Sequence, residues 1–289
     1  MLNILRMDLY RLIRAKSFWI GLIISLAFLS TAVFSTWFVT SPEYSQMVQD
    51  AGESGVIIEF DSNNQEMVAA QEEMESFKQV LSEMDILQYL GELLIGGNLL
   101  PLMIILIFTL FMVGDFETGF AKNIFTSKEN RLGYVGSKAI VALLITAIYL
   151  VVNALFVLGL SSIFGVGPAS NASSFIDIVV WVLLVHLVSL AYAMMMSFIM
   201  WMFRSKVAAV LACILTTAGM ISSFIEGILS LFPSISFLSN YTLFAQFTSL
   251  SQGMSGLEGG DIIRIACTAI VYLVLFTGAG IMALRKKDI

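Results

Sequence analysis

The stretch FWIGLIISLAFLSTAVFSTWFV, residues 18–39, decides the fold of this chain, because its 22 residues carry no charge and follow Arg6, Arg11, Arg14 and Lys16. A helix needs roughly 20 apolar residues to cross about 30 Å of hydrocarbon, where every backbone polar group must be bonded internally. The run has that length. It is longer than the apolar core of a cleaved signal peptide, about 7–15 residues, and no small-x-small site closes it, so it is expected to stay as an anchor.

Five further stretches meet the same length, at 93–114, 139–164, 175–203, 207–232 and 262–284. In 289 residues, 58% are hydrophobic and only 12% charged, a balance that calls for lipid as solvent. Of the fifteen Lys and Arg residues, thirteen fall into four clusters: the one before residue 18, then Lys122, Lys128, Arg131 and Lys138, then Arg204 and Lys206, and last Arg285, Lys286 and Lys287. The spans are chosen by apolar length alone, yet every cluster falls on one side of them. By the positive-inside rule that side is cytoplasmic, which puts both termini inside. The expected fold is therefore an all-α integral membrane protein with six transmembrane helices, multi-pass in a plasma membrane and bacterial.

The segments between the spans have their own character. Residues 1–17 read as an amphipathic helix along the inner leaflet, with Leu2, Leu5, Leu9, Leu12 and Ile13 on one face. The loop at 40–92 holds twelve acidic residues. Within it Met67, Ala70, Met74, Phe77, Leu81 and Met84 form a stripe at helical spacing, which must bury itself on the same chain, a twin subunit or an outer partner. Val56–Phe60 has the composition of a short strand. Residues 233–261 are too polar and too broken to span, yet rich in aromatics, and read as a re-entrant or interfacial element. Pro42, Pro168 and Pro233 fall at outer helix ends, whereas Pro101 lies inside the second span, where a kink is expected. Residues 285–289 form a short tail.

Catalytic chemistry finds no support. The single histidine, His186, lies within the fourth span; an intramembrane histidine is a functional candidate by default, and the competing reading is a neutral imidazole bonded to a neighbouring helix. No Gly-x-Ser-x-Gly, His-Glu-x-x-His or Walker A loop is present, so no catalytic residue, metal site or cofactor is expected in this chain, and it cannot hydrolyse ATP alone. Cys213 and Cys267 sit in apolar runs and read as packing residues. Glu226 is the one carboxylate read at depth, at the turn into the re-entrant element, and Arg264 is expected to snorkel outward towards Glu258 or Asp261. Asn98, Thr216, Thr217 and Ser222 are polar groups in spans, candidates for a substrate pathway against the commoner role of helix-packing contacts. Nothing points to nucleic acid.

The first inner loop, 115–138, carries the most specific pattern. It follows the second span with an acidic residue, a Glu-x-Gly turn, a charged stretch and a lysine at the start of the third span. The matching residues are Glu117, Gly119, Arg131 and Lys138, with Lys128 in the charged stretch. In this loop and in whole-chain organisation the sequence resembles the membrane (permease) subunit of a type-2 ABC exporter. It departs at Phe120 and at Thr126 to Lys128, where the family often has threonine and proline. The resemblance implies a permease dimer, homomeric or heteromeric, whose inner loop docks a separate ATP-binding subunit that holds the ATP and Mg. It also implies export of an amphiphilic substrate such as a peptide, lipid or drug. The alternative is a non-transporting receptor or immunity protein that binds a cationic peptide through its acidic outer loop.

Overall fold

A computed structural model describes residues 2–44, 46–47, 75–120, 128–167 and 173–286, and among these there are helices and turns but no strand. Ten α-helices are named here in chain order: α1 (Leu2–Arg14), α2 (Lys16–Thr40), α3 (Ile86–Gly91), α4 (Leu99–Glu117), α5 (Lys128–Phe164), α6 (Phe175–Phe203), α7 (Lys206–Thr217), α8 (Met220–Ser230), α9 (Leu243–Ser251) and α10 (Gly259–Lys286). A π-helical turn (Glu92–Gly96) follows α3, and a 3₁₀ helix (Pro233–Tyr241) precedes α9. Shorter helical turns occupy 42–44 and 75–83. The proposed strand at Val56–Phe60, the stripe residues Met67, Ala70 and Met74, and Pro168 lie outside the described residues.

Helices α2, α4, α5, α6 and α10 are each long and apolar enough to cross a membrane. The pair α7 and α8 passes the same test only jointly, because it bends by 61°. The described residues thus form a bundle of five membrane-length helices, with a sixth if the bent pair is one span. Contacts at the two ends make the order antiparallel. At one end Lys206 at the start of α7 reaches Glu117 at the end of α4, and Tyr134 near the start of α5 lies 6.4 Å from Trp201 near the end of α6. At the other, Trp37 of α2 meets Phe164 of α5 at 5.4 Å, and the Trp181 indole of α6 donates to the Leu250 carbonyl of α9.

Helix α6 is the centre of the bundle, with Trp181, Val188, Ala191, Met194 and Trp201 all buried, and it packs on α4, α5, α7, α9 and α10. Apolar contact alone gives little specificity between helices in lipid, so polar contacts and small residues set the register. Between α2 and α5, Ser25 donates to the Asn153 side-chain carbonyl at 2.9 Å and Tyr149 donates to the Phe18 carbonyl at 2.7 Å. His186 lies 2.9 Å through Nδ1 from the Thr146 hydroxyl of α5, so the bonded reading of this histidine holds.

Two expectations change. No kink occurs at Pro101. The direction changes earlier, at the π-turn and at Asn98, whose φ of 54° is left-handed. Pro101 then sits in the first turn of α4, where a missing N–H costs no helical bond. The fifth apolar run is likewise not straight. It breaks at Gly219, where φ is 75° and a side chain would meet the Phe244 ring at 2.5 Å, so both the backbone and the space favour glycine. The segment at 233–261 is partly interior: Leu243, Gln246, Phe247, Leu250 and Ser251 of α9 are buried, and Phe247 stacks on Tyr192 of α6 at 5.4 Å. At the start of α10, Arg264 pairs with Asp261 at 2.9 Å, one of the two partners expected.

At Gly280 of α10 the backbone lies close against α6, since a Cβ there would lie 2.0 Å from the Trp201 ring. Gly278 has open space around it. Gly280→Ala should therefore destabilise the protein by about 1–3 kcal/mol through overpacking, against its gain in helix propensity. Gly278→Ala should be neutral or slightly stabilising, and thermal unfolding in detergent compares the two.

Candidate functional site

The first helix is amphipathic in an unexpected register. Ile13, placed by sequence on the same apolar face as Leu12, is 64% exposed, whereas Asp8 and Leu12 are buried against the bundle. Asp8 is the sole acidic residue before Glu43. A turn of helix carries Arg11 to the same face, and the two meet at 3.6 Å.

Three elements converge on that aspartate. Helix α4 brings Asp115 from its last turns, and α5 brings Tyr134, Ser137 and Lys138; all four side chains are fully buried. The Lys138 ammonium lies 2.7 Å from Asp8 Oδ1 and 2.6 Å from Asp115 Oδ2. The Arg11 guanidinium lies 2.7 Å from Asp115 Oδ1. Neutral donors also reach the carboxylates, with Ser137 Oγ donating to Asp8 and the Tyr134 hydroxyl to Asp115, each at 2.7 Å. Aromatic rings close the cluster. The guanidinium of Arg11 stands 4.2 Å from the Phe120 ring centroid, and the Lys138 ammonium 4.6 Å from that of Phe111.

Two carboxylates and two cations thus form a quartet without net charge. Removing ions from water costs several kcal/mol each, and only close geometry with every hydrogen bond made can offset it. The shared Lys138 makes all members interdependent, because its loss would leave both Asp8 and Asp115 short of a cation. The only ion pair on the same end outside the quartet is very different among the described residues: Lys206 and Glu117 stand 3.5 Å apart, with side chains 56% and 57% exposed. Such a pair contributes about 0–1 kcal/mol. The quartet can hold elements together; Glu117 can change partners freely.

The residues picked out by sequence are therefore divided. Lys138 is interior, enclosed with Asp115. Glu117 is at the surface, and Gly119 follows it with a φ of 72° that ends α4 in a sharp turn. Lys128 and Arg131 belong to the first turns of α5, which begins well before the apolar span, and their side chains lie outside the described residues. Of the pathway candidates, Thr216 and Thr217 are buried and donate to carbonyls of their own helix. Thr216 and Ser222 line a small cleft with Tyr192, Met195 and Tyr272, which neither Thr217 nor Asn98 reaches. Among the described residues no group of His, Cys, Asp and Glu is placed to hold a metal ion. Sequence reasoning passes over Asp8, Tyr134 and Ser137; a lone acid in a basic amphipathic segment, one turn from Arg11, is the signal that marks the first.

A helical bundle with membrane-length apolar helices and a charge cluster sealed at one end defines a multi-pass membrane protein. Residues 60–289 match a family described as "Protein of unknown function (DUF2705)", and the chain belongs to that family. No curated protein matches the chain.

Lys138→Met should lower stability by about 3–5 kcal/mol, the cost of leaving buried charge without its partner. Because the residues act as a unit, a cycle of Lys138→Met with Asp8→Asn should be strongly non-additive, the double variant losing less than the two single losses together. Glu117→Gln should change stability by less than about 1 kcal/mol in the same thermal unfolding assay.

Proposed function

We propose that this chain is the permease subunit of an ABC exporter, six-spanning in a bacterial plasma membrane with both termini cytoplasmic. A separate ATP-binding subunit supplies hydrolysis, and a second permease subunit completes the assembly. The observation that carries this reading is the buried quartet joining α1, α4 and α5. It makes the first helix, the end of α4 with its turn at Gly119, and the start of α5 one mechanical unit, at the end of the bundle where the basic clusters gather. A partner that grips this turn would move three helices together instead of bending a loop, which is the requirement for converting closure of an ATPase into rotation of spans.

In this reading the contact residues are Glu117 and, from the first turns of α5, Lys128 and Arg131, with Gly119 setting the turn. Lys138 acts indirectly. It is a positioning residue that holds the turn against the bundle. The exposed, weakly paired Glu117 suits exchange of Lys206 for a cation on the partner. The cargo is an amphiphile, since the outer half of the bundle combines exposed apolar side chains with clefts that are partly polar.

Affinity purification of the full chain from its own membrane should recover a Walker-motif ATPase in near-stoichiometric amount. Glu117→Lys combined with Arg131→Glu should cut that recovery at least about tenfold, as expected for lost and reversed contacts at an interface, while the chain itself remains folded. Recovery of no ATPase, or recovery untouched by the charge reversal, would contradict the proposal.

A further inference from the structure

Helix α8 carries polar groups along one side: Ser222, Glu226 and Ser230 follow each other at intervals of four. No residue of α8 is buried. Sequence reading puts Glu226 at a turn, but the structure places it mid-helix, beside a cleft of ≈ 290 Å³ between α8, the 3₁₀ helix and α9. A carboxylate on an apolar membrane segment is costly to keep without a partner.

The lining of this cleft has one chemical sign. Besides Glu226 it presents Ser222, Ser223, Ser239, Asn240, Thr242, Thr248 and Ser249, and among the described residues no Lys, Arg or His. Three of these hydroxyls have already donated their protons to backbone carbonyls: Ser239 to Ser236 at 2.9 Å, Thr248 to Phe244 at 3.1 Å and Ser249 to Ala245 at 3.0 Å. A hydroxyl whose hydrogen is committed offers only lone pairs to a ligand. Ser239, Thr248 and Ser249 are therefore held as acceptors beside a carboxylate, which suits a cation that carries several N–H donors. Its volume is small for a whole ligand of drug size and ample for a headgroup. The elements that form it carry exposed Phe224, Ile228, Phe237 and Tyr241, on which an apolar body can lie.

We infer that this cleft binds the primary ammonium headgroup of an amphiphile, with Glu226 as counter-ion and the Ser239, Thr248 and Ser249 hydroxyls as acceptors. As a statement about cargo it rests on the exporter reading; as a binding site it does not.

The test uses the full chain in phosphatidylcholine nanodiscs and labelled dodecylammonium in equilibrium dialysis, with empty discs subtracted. The wild type should show one saturable site, and Glu226→Gln should weaken it at least about tenfold, the loss expected of one charge-assisted hydrogen bond. Glu226→Asp should retain most of the affinity. Dodecyltrimethylammonium, a cation without N–H donors, should bind far more weakly. Competition by phosphatidylethanolamine added to the discs would identify the occupant as a lipid headgroup, and its absence as a free amphiphile. Equal affinity in wild type and Glu226→Gln, or equal affinity for the two ammonium compounds, would overturn the site while leaving any recovery of an ATPase intact. Failure to recover an ATPase would remove the exporter reading and leave this binding result standing.

Discussion

Charges buried at one end of an apolar bundle have to satisfy one another, and that requirement fixes where three helices meet. The Lys138 ammonium touches carboxylates from α1 and α4 at once, so neither helix can shift without exposing an unpaired charge to a low-dielectric interior. Apolar contacts between helices are comparatively permissive in lipid. The quartet is not. It turns the first helix, which by composition belongs to the membrane surface, into a fixed part of the bundle.

The opposite half of the molecule follows a looser rule. There the fifth apolar segment bends at Gly219, α8 leaves the core, and a short α9 fills the space against α6 with Phe247 and Leu250. The Phe244 ring occupies the space that a side chain at Gly219 would need, so bend and filling element depend on each other. One end is clamped by ions and the other is built from breaks and short helices.

Much of this is legible in the sequence, for identifiable reasons. The long apolar runs read directly as helices because length and absence of charge are local properties, and the side shared by the basic clusters is likewise a sum over local composition. The bond of His186 and the pairing of Arg264 with Asp261 are legible too, since each polar group in an apolar run must find a partner. The break at Asn98 ahead of Pro101 and the bend at Gly219 are not, because both depend on what packs alongside. At the site, Glu117, Gly119 and Lys138 stand out as a local pattern, but nothing in that pattern says that Lys138 is interior. Its environment comes from Asp8, distant by 130 positions, and the face on which Asp8 lies was obscured by apolar residues on both sides of α1, with Met7, Tyr10 and Ile13 opposite Leu5 and Leu12.

The quartet is what holds α1 to the start of α5. Spin labels replacing the exposed Ile13 on α1 and Leu132 on α5 report that distance directly, and a second pair replacing Leu183 and Val274 on α6 and α10 reports whether the bundle stays intact. Double electron–electron resonance should give a single narrow distribution for the first pair, and a broad one when Asp8→Asn and Asp115→Asn are combined, with the second pair unchanged. An equally narrow distribution at the first pair in that double variant would contradict the clamp.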